Sequence, residues 1–191
     1  MVIRNALLTG LRAWALREYR TIEHADPNYR AAFKRCESRE QMKMRSLGLL
    51  LLRVVIGIIM IAHGYPKLFG GEGKAESLPD EAKNVLGEGF VDSVNQGGIA
   101  ATMGAMESLG VPKPQLSAWS IGLVEFVGGL AMVLGMKTRP AAAAITFSQL
   151  VAINKAHAEQ GLVGGYEFNA SLIAGAGCIA LAGPGKLSVD G

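Results

Sequence analysis

Four long apolar windows, separated by polar links, constrain this chain more than any other feature. They are Ser46 to His63 (SLGLLLLRVVIGIIMIAH), about Gln115 to Met136, Pro140 to about His157, and about Tyr166 to Gly183. Each approaches the roughly 20 mainly apolar residues that a helix needs to cross a hydrocarbon core about 30 Å thick. One such window describes a buried soluble helix equally well, but four of them after residue 45 leave too little polar surface to solvate a globule. Backbone groups in lipid must be satisfied internally, so the windows must be helices or barrel strands. They are too continuous for the alternating pattern of a barrel. The expected fold is therefore all-α, an integral membrane four-helix bundle over residues 46–191, preceded by a basic arm over residues 1–45.

Composition agrees: half of the 191 residues are apolar and only 18% are charged. Two separated cysteines, Cys36 and Cys178, exclude a disulfide scaffold, a CxxC redox centre and a cysteine-rich zinc site. A net charge of +3 is too small to suggest nucleic acid. The distribution of charge is more telling. The first 45 residues hold 10 Lys and Arg against 5 acids, whereas the long link from Gly64 to Pro114 holds 4 Lys against 7 acids. Cytoplasmic flanks are enriched in Lys and Arg, and the short link Lys137 to Arg139 is KTR, so both termini are expected on the cytoplasmic side.

Arg12 and Arg17 interrupt any signal-peptide core in the arm. Ile3, Leu7, Leu11 and Trp14 recur at helical spacing among arginines, which suits an amphipathic helix on an anionic inner leaflet; a solvated helix, or an extension upstream of a start at Met42 or Met44, fits the same residues. In the long link, Ile99, Met103, Met106 and Leu109 line one face of a short helix expected either at the outer interface or capping the bundle. Three nominal motifs fail on context. GGEGKAES has Leu68 where a P-loop needs its first glycine, GAGCIA (Gly175 to Ala180) lies within an apolar window with no strand before it, and His157-Ala-Glu159 is followed by no CxxC.

Polar residues inside the windows are costly and so carry information. Arg53 and Glu125 each stand near a window centre, where an unpaired charge costs about 2.5 to 3.5 kcal/mol on insertion scales. With the two helices antiparallel their expected axial offset is roughly 4 to 5 Å, which long side chains bridge, so a buried ion pair is expected. Gly57 lies four residues after Arg53, and Gly122, Gly128 and Gly129 surround Glu125, placing small residues for helix packing beside each charge. Gly175 is read the same way. The topology also gathers His63 and Lys67 with Asn154, Lys155, His157 and Glu159, and with Tyr166, Glu167 and Asn169, at one membrane surface. His63, Lys67, His157 and Glu167 are the candidate catalytic residues there, offering hydrogen bonds to carbonyl oxygens and groups for proton transfer; a solvated rim is the competing reading.

The succession RVVIGIIMIAHGYPKLFGG (Arg53 to Gly71), LGVPKP (Leu109 to Pro114), GLVEFVGGLAMVLGMKTRPAA (Gly122 to Ala142), GGYEFN (Gly164 to Asn169) and GPGKLSVD (Gly183 to Asp190) resembles the DoxX family of small bacterial membrane proteins. The resemblance covers about Arg45 to the C-terminus, and the basic arm is not part of the usual pattern. It implies a four-helix protein of the cytoplasmic membrane, with matching positions at Arg53, Gly57, His63, Gly64, Lys67, Glu125, Gly128, Gly129, Glu167, Lys186 and Asp190. Relatives include the DoxD-type subunit of thiosulfate:quinone oxidoreductase, which implies a component of a quinone-linked oxidoreductase system taking quinone as substrate. Membrane lipids and soluble or membrane redox subunits are the implied partners, and a homo-oligomer is compatible. No metal, haem or flavin site is evident in the sequence. The competing functions are a non-catalytic membrane scaffold that anchors a soluble redox or stress-response partner, and a small-molecule carrier.

Overall fold

The computed structural model describes residues 27–190, which are helical apart from short links, with no strand among them. The chain divides between Arg45 and Ser46 into two compact units. Helix α1 spans Pro27–Phe69. Its residues 35–45 are exposed, and there Lys43 donates to Glu40 at 2.8 Å. The surface helix expected around Ile3, Leu7, Leu11 and Trp14 lies outside the described residues.

Within the second unit α1 continues past His63 to Phe69, further than the apolar window that predicted it. Pro66 is accommodated close to the helix end, where few carbonyls remain to lose a donor. Its own carbonyl accepts N–H bonds from Gly70 at 3.0 Å and Gly98 at 2.8 Å, which ties the following cap onto the helix. That cap consists of a 3₁₀ turn (Lys74–Ser77), α2 (Asp80–Leu86), α3 (Glu88–Asn95) and α4 (Ile99–Ser108). Three helices follow: α5 (Pro114–Leu134), α6 (Thr138–Ala152) and α7 (Glu167–Ala182). Helix α6 passes into a π-helical turn at Ile153–His157, so its direction persists to the end of the third apolar window. Two of the helices are long and apolar enough to cross a membrane, α5 and the Arg35–Phe69 part of α1.

The helices are patterned inside out. Along α5 the buried series is Ala118, Gly122, Glu125, Gly129 and Met132, while Leu116, Trp119, Leu123, Val127, Leu130 and Leu134 are exposed. Both series advance by three or four residues, as the faces of one helix must. The large apolar side chains therefore point outward and the carboxylate inward, an arrangement suited to lipid and not to water. Helix α1 repeats it, with Arg53, Ile56 and Met60 buried and Leu51, Val55 and Ile58 exposed. Between the helices Ile56, Met60, Met132, Ile145, Leu172 and Ile179 close the core.

Glycine sets the register of α1 against α5, which run antiparallel. A Cβ on Gly57 would stand 2.7 Å from the Gly129 carbonyl oxygen, and one on Gly129 would stand 2.7 Å from that of Gly57. Further along, Gly64 lies against the backbone of Glu125 and Phe126. Gly122 meets the side chains of Leu68 and Lys67, Gly175 those of Ile56 and Leu52, and Gly128 leaves an ordinary 3.6 Å gap to Ile145 of α6. At the far end of α5, Gly135 takes the left-handed conformation (φ 69°) that closes the helix. Its N–H reaches the Met132 carbonyl and that of Met136 reaches Ala131, the paired pattern of a Schellman stop.

Candidate functional site

Gly64 brings α1 so close to α5 that Glu125 lies level with it, and Lys67 follows three residues on, roughly 4.5 Å further along the axis. Side chains on a helix lean toward its N-terminus. In an antiparallel pair with this register the lysine and the glutamate therefore lean toward each other. Lys67 Nζ donates to Glu125 Oε2 at 2.5 Å and to the His63 carbonyl at 2.9 Å. The Glu125 side chain is 8% exposed and that of Lys67 28%. An ion pair so largely removed from water needs this closeness and the additional hydrogen bond to offset desolvation.

Lys67 also lines a cavity of about 480 Å³ between the end of α1 and the cap. His63 and Pro66 of α1, Phe90 and Ser93 of α3, and Thr102 and Met106 of α4 are among its walls. Thr102 is buried, and its hydroxyl donates to the Gly98 carbonyl one turn back at 2.9 Å and reaches the Lys67 carbonyl at 3.4 Å, the contact that joins α4 to the end of α1. Phe90 joins an aromatic cluster with Tyr65, 6.0 Å away between ring centroids, and Tyr65 in turn meets Phe69 and Phe126. An ammonium has three N–H donors. Two of those on Lys67 are used within the protein, and the third has no protein partner.

The ion pair expected between Arg53 and Glu125 does not form. Arg53 lies eleven residues before Gly64, and so roughly 16 Å along α1 from the level of Glu125. It reaches the other end of the bundle, against Gly135, where Nη2 donates to the Leu187 carbonyl. It is 2% exposed, with Nε and Nη1 unpartnered. The nearby carboxylate is Asp190, which accepts from the N–H groups of Thr138 at 2.8 Å and Lys137 at 2.9 Å at the start of α6. These two bonds, that of Thr138 first, hold the Asp190 carboxyl below its ordinary range. The Asp190 N–H returns a bond to the Gly135 carbonyl at 2.9 Å, and the Lys186 N–H reaches Ser46 Oγ at 3.3 Å. The tail GPGKLSVD is thus stapled across this end of the helices.

Of the four candidate catalytic residues, His63 and Lys67 stand together on the cavity wall, and the other two stand apart. His157 contacts Gln160 at 3.1 Å, and Glu167 accepts from the Gly164 N–H at 3.1 Å, both at exposed positions. Short-range partners hold His157 at the end of the π-helical turn and Glu167 at the first residue of α7. The neighbouring Phe168 ring does approach His63, at 5.9 Å. A buried amide pair was not read from the sequence: Asn169 donates to Gln149 at 2.8 Å, joining α7 to α6. Its signal was available, since two amides inside apolar windows must find partners.

The outward apolar faces and inward charges define a small α-helical membrane protein. Residues 48–158 match the model of the DoxX family, and the chain belongs to that family. It is 26% identical over 154 residues to the inner membrane protein YphA of Escherichia coli (strain K12), an alignment covering 76% of this chain and 90% of the relative. It is accordingly a bacterial inner-membrane protein. No solved structure matches it.

Proposed function

We propose that this chain is the membrane component of a quinone-linked oxidoreductase system, and that the cavity beside Lys67 receives the quinone head group. In this reading α1, α5, α6 with its π-helical continuation, and α7 are four spans with both termini cytoplasmic. The cavity then lies toward the outer surface, at a depth where a lipid-soluble ring can enter past the aromatic cluster. The single observation that carries the reading is Lys67, which keeps one N–H without a protein partner and lines a space of about 480 Å³ whose walls are largely apolar. That combination, a largely apolar cleft with few fixed polar groups, is the usual form of a small-molecule site. A quinone carbonyl supplies the acceptor, and His63 stands beside it to exchange a proton. Full reduction takes two electrons and two protons. The electrons come from a reductant oxidised by a partner subunit, and this chain positions the ring.

Purification in mild detergent followed by lipid extraction tests it. Quinone is expected to leave the membrane with the wild-type protein, and a short-chain benzoquinone is expected to bind the stripped protein saturably. Lys67→Met should lose this binding, whereas His157→Ala should keep it. An inserted, folded wild-type protein that neither carries nor binds quinone would defeat the proposal and leave the scaffold reading, which the exposed helical residues 35–45 favour as a docking element.

A further inference from the structure

The cavity walls contain just two titratable side chains, His63 and Lys67. A lysine alone on such a wall would draw anions, because an ammonium removed from bulk water gains most from a full opposite charge. Lys67 is not alone. Glu125 stands behind it at 2.5 Å and is not itself part of the wall, so it acts on a ligand only through the lysine. The pair is neutral as a whole, and its position deep against α5 leaves the carboxylate little water to screen it.

We infer that Glu125 is the specificity-determining residue of this cavity, cancelling the charge of Lys67 so that the site selects uncharged carbonyl ligands and rejects carboxylates and phosphates of similar size. The inference rests on the reading of the cavity as a quinone site. A neutral carbonyl needs one donor and brings no charge to be desolvated, and the free Lys67 N–H satisfies it. An anion at the same N–H lies only a few ångströms beyond a buried carboxylate and meets repulsion that offsets the attraction of the ammonium. Glu125 touches no ligand and is a positioning residue. Its role differs from a structural one in a measurable way, because it governs which charge the ligand carries and not merely how much protein folds.

The test compares two ring-sized probes, a short-chain benzoquinone and benzoate, binding to the full-length protein in nanodiscs by calorimetry at neutral pH. Wild type is expected to favour the quinone by at least about tenfold, the scale of one hydrogen bond gained or lost at a charged group. Glu125→Gln keeps the shape and an acceptor for Lys67 but frees its charge, and should move the quinone-to-benzoate ratio toward benzoate by about tenfold or more. Glu125→Asp withdraws the carboxylate by one methylene, should give an intermediate ratio, and serves where the glutamine variant does not insert. An unchanged ratio in the variants, with quinone still bound, overturns the inference while leaving the quinone site intact. Wild-type protein that binds both probes equally also overturns it. Binding of neither probe to the wild type defeats the quinone reading and this inference with it.

Discussion

Replacing Gly57 by alanine tests the register from which the placement of every charge follows. The new methyl would lie 2.7 Å from the Gly129 carbonyl oxygen and 2.7 Å from Val133 Cγ2, against an ordinary contact distance near 3.4 Å. The side-chain atom can turn aside, but the oxygen belongs to the backbone of α5, so the two helices must separate by about 0.7 Å at their closest point. Overpacking of this kind costs about 1 to 3 kcal/mol, set against about 0.5 to 1 kcal/mol gained from a better helix former. A net loss of roughly 1 to 2 kcal/mol is expected for Gly57→Ala. Gly128→Ala, on the neighbouring face of the same helix pair's partner α5, meets only Ile145 at 3.6 Å and should be neutral or stabilising by a few tenths of a kcal/mol. Both are read by reversible unfolding in mixed micelles, with the helical signal followed against denaturing detergent fraction. Equal losses at the two positions, or a stable Gly57→Ala, would refute the backbone contact and with it the depth assigned to Glu125 and Arg53.

Two further outcomes follow from the same geometry. In double-mutant cycles Lys67→Met and Glu125→Gln should partly cancel, because each alone strands a buried charge at a cost near the lower end of about 3 to 5 kcal/mol, whereas Arg53→Met and Glu125→Gln should add; coupling of the second pair in unfolding experiments would restore the Arg53–Glu125 contact. Asp190 has a depressed carboxyl, so its contribution to holding the tail is complete above the ordinary carboxylate value of about 4 and is lost as pH falls through the lower, folded-state value. Hydrogen exchange at the Lys137 and Thr138 amides should therefore be slow at neutral pH and speed up in strong acid, while Asp190→Ala leaves them fast at every pH.

Much of the fold was legible because lipid reverses the usual pattern. The apolar windows located α1, α5, α6 and α7, and the stripe Ile99, Met103, Met106, Leu109 located α4 with its partly buried face. Helix ends were less legible. The first window stops at His63 because His63, Tyr65, Pro66 and Lys67 lower the hydropathy, yet the helix runs on to Phe69 with Lys67 turned inward and the Pro66 carbonyl satisfied by the cap. A polar residue that is buried by a partner elsewhere in the chain cannot be distinguished, by hydropathy alone, from one that ends a helix.

The misplacement of Arg53 follows from that one error. Centring both helices on their apolar windows puts Arg53 and Glu125 at nearly the same depth, but the register is set by backbone contact at Gly57–Gly129 and Gly64–Glu125, which no hydropathy profile contains. Once α1 is extended to Phe69, two charges enter the count instead of one, and each has a carboxylate at its own level: Lys67 with Glu125, and Arg53 with Asp190. The glycines that flank the charges were visible from the start as small residues on shared faces. Their consequence was not, since a glycine seam allows helices to approach at any register and only the mutual fit of Gly57 and Gly129 selects this one. Separating the two cations by fourteen residues, roughly 21 Å along α1, divides their work. Arg53 and Asp190 close one end under the C-terminal tail, and at the other Lys67 lines a cavity with Glu125 behind it.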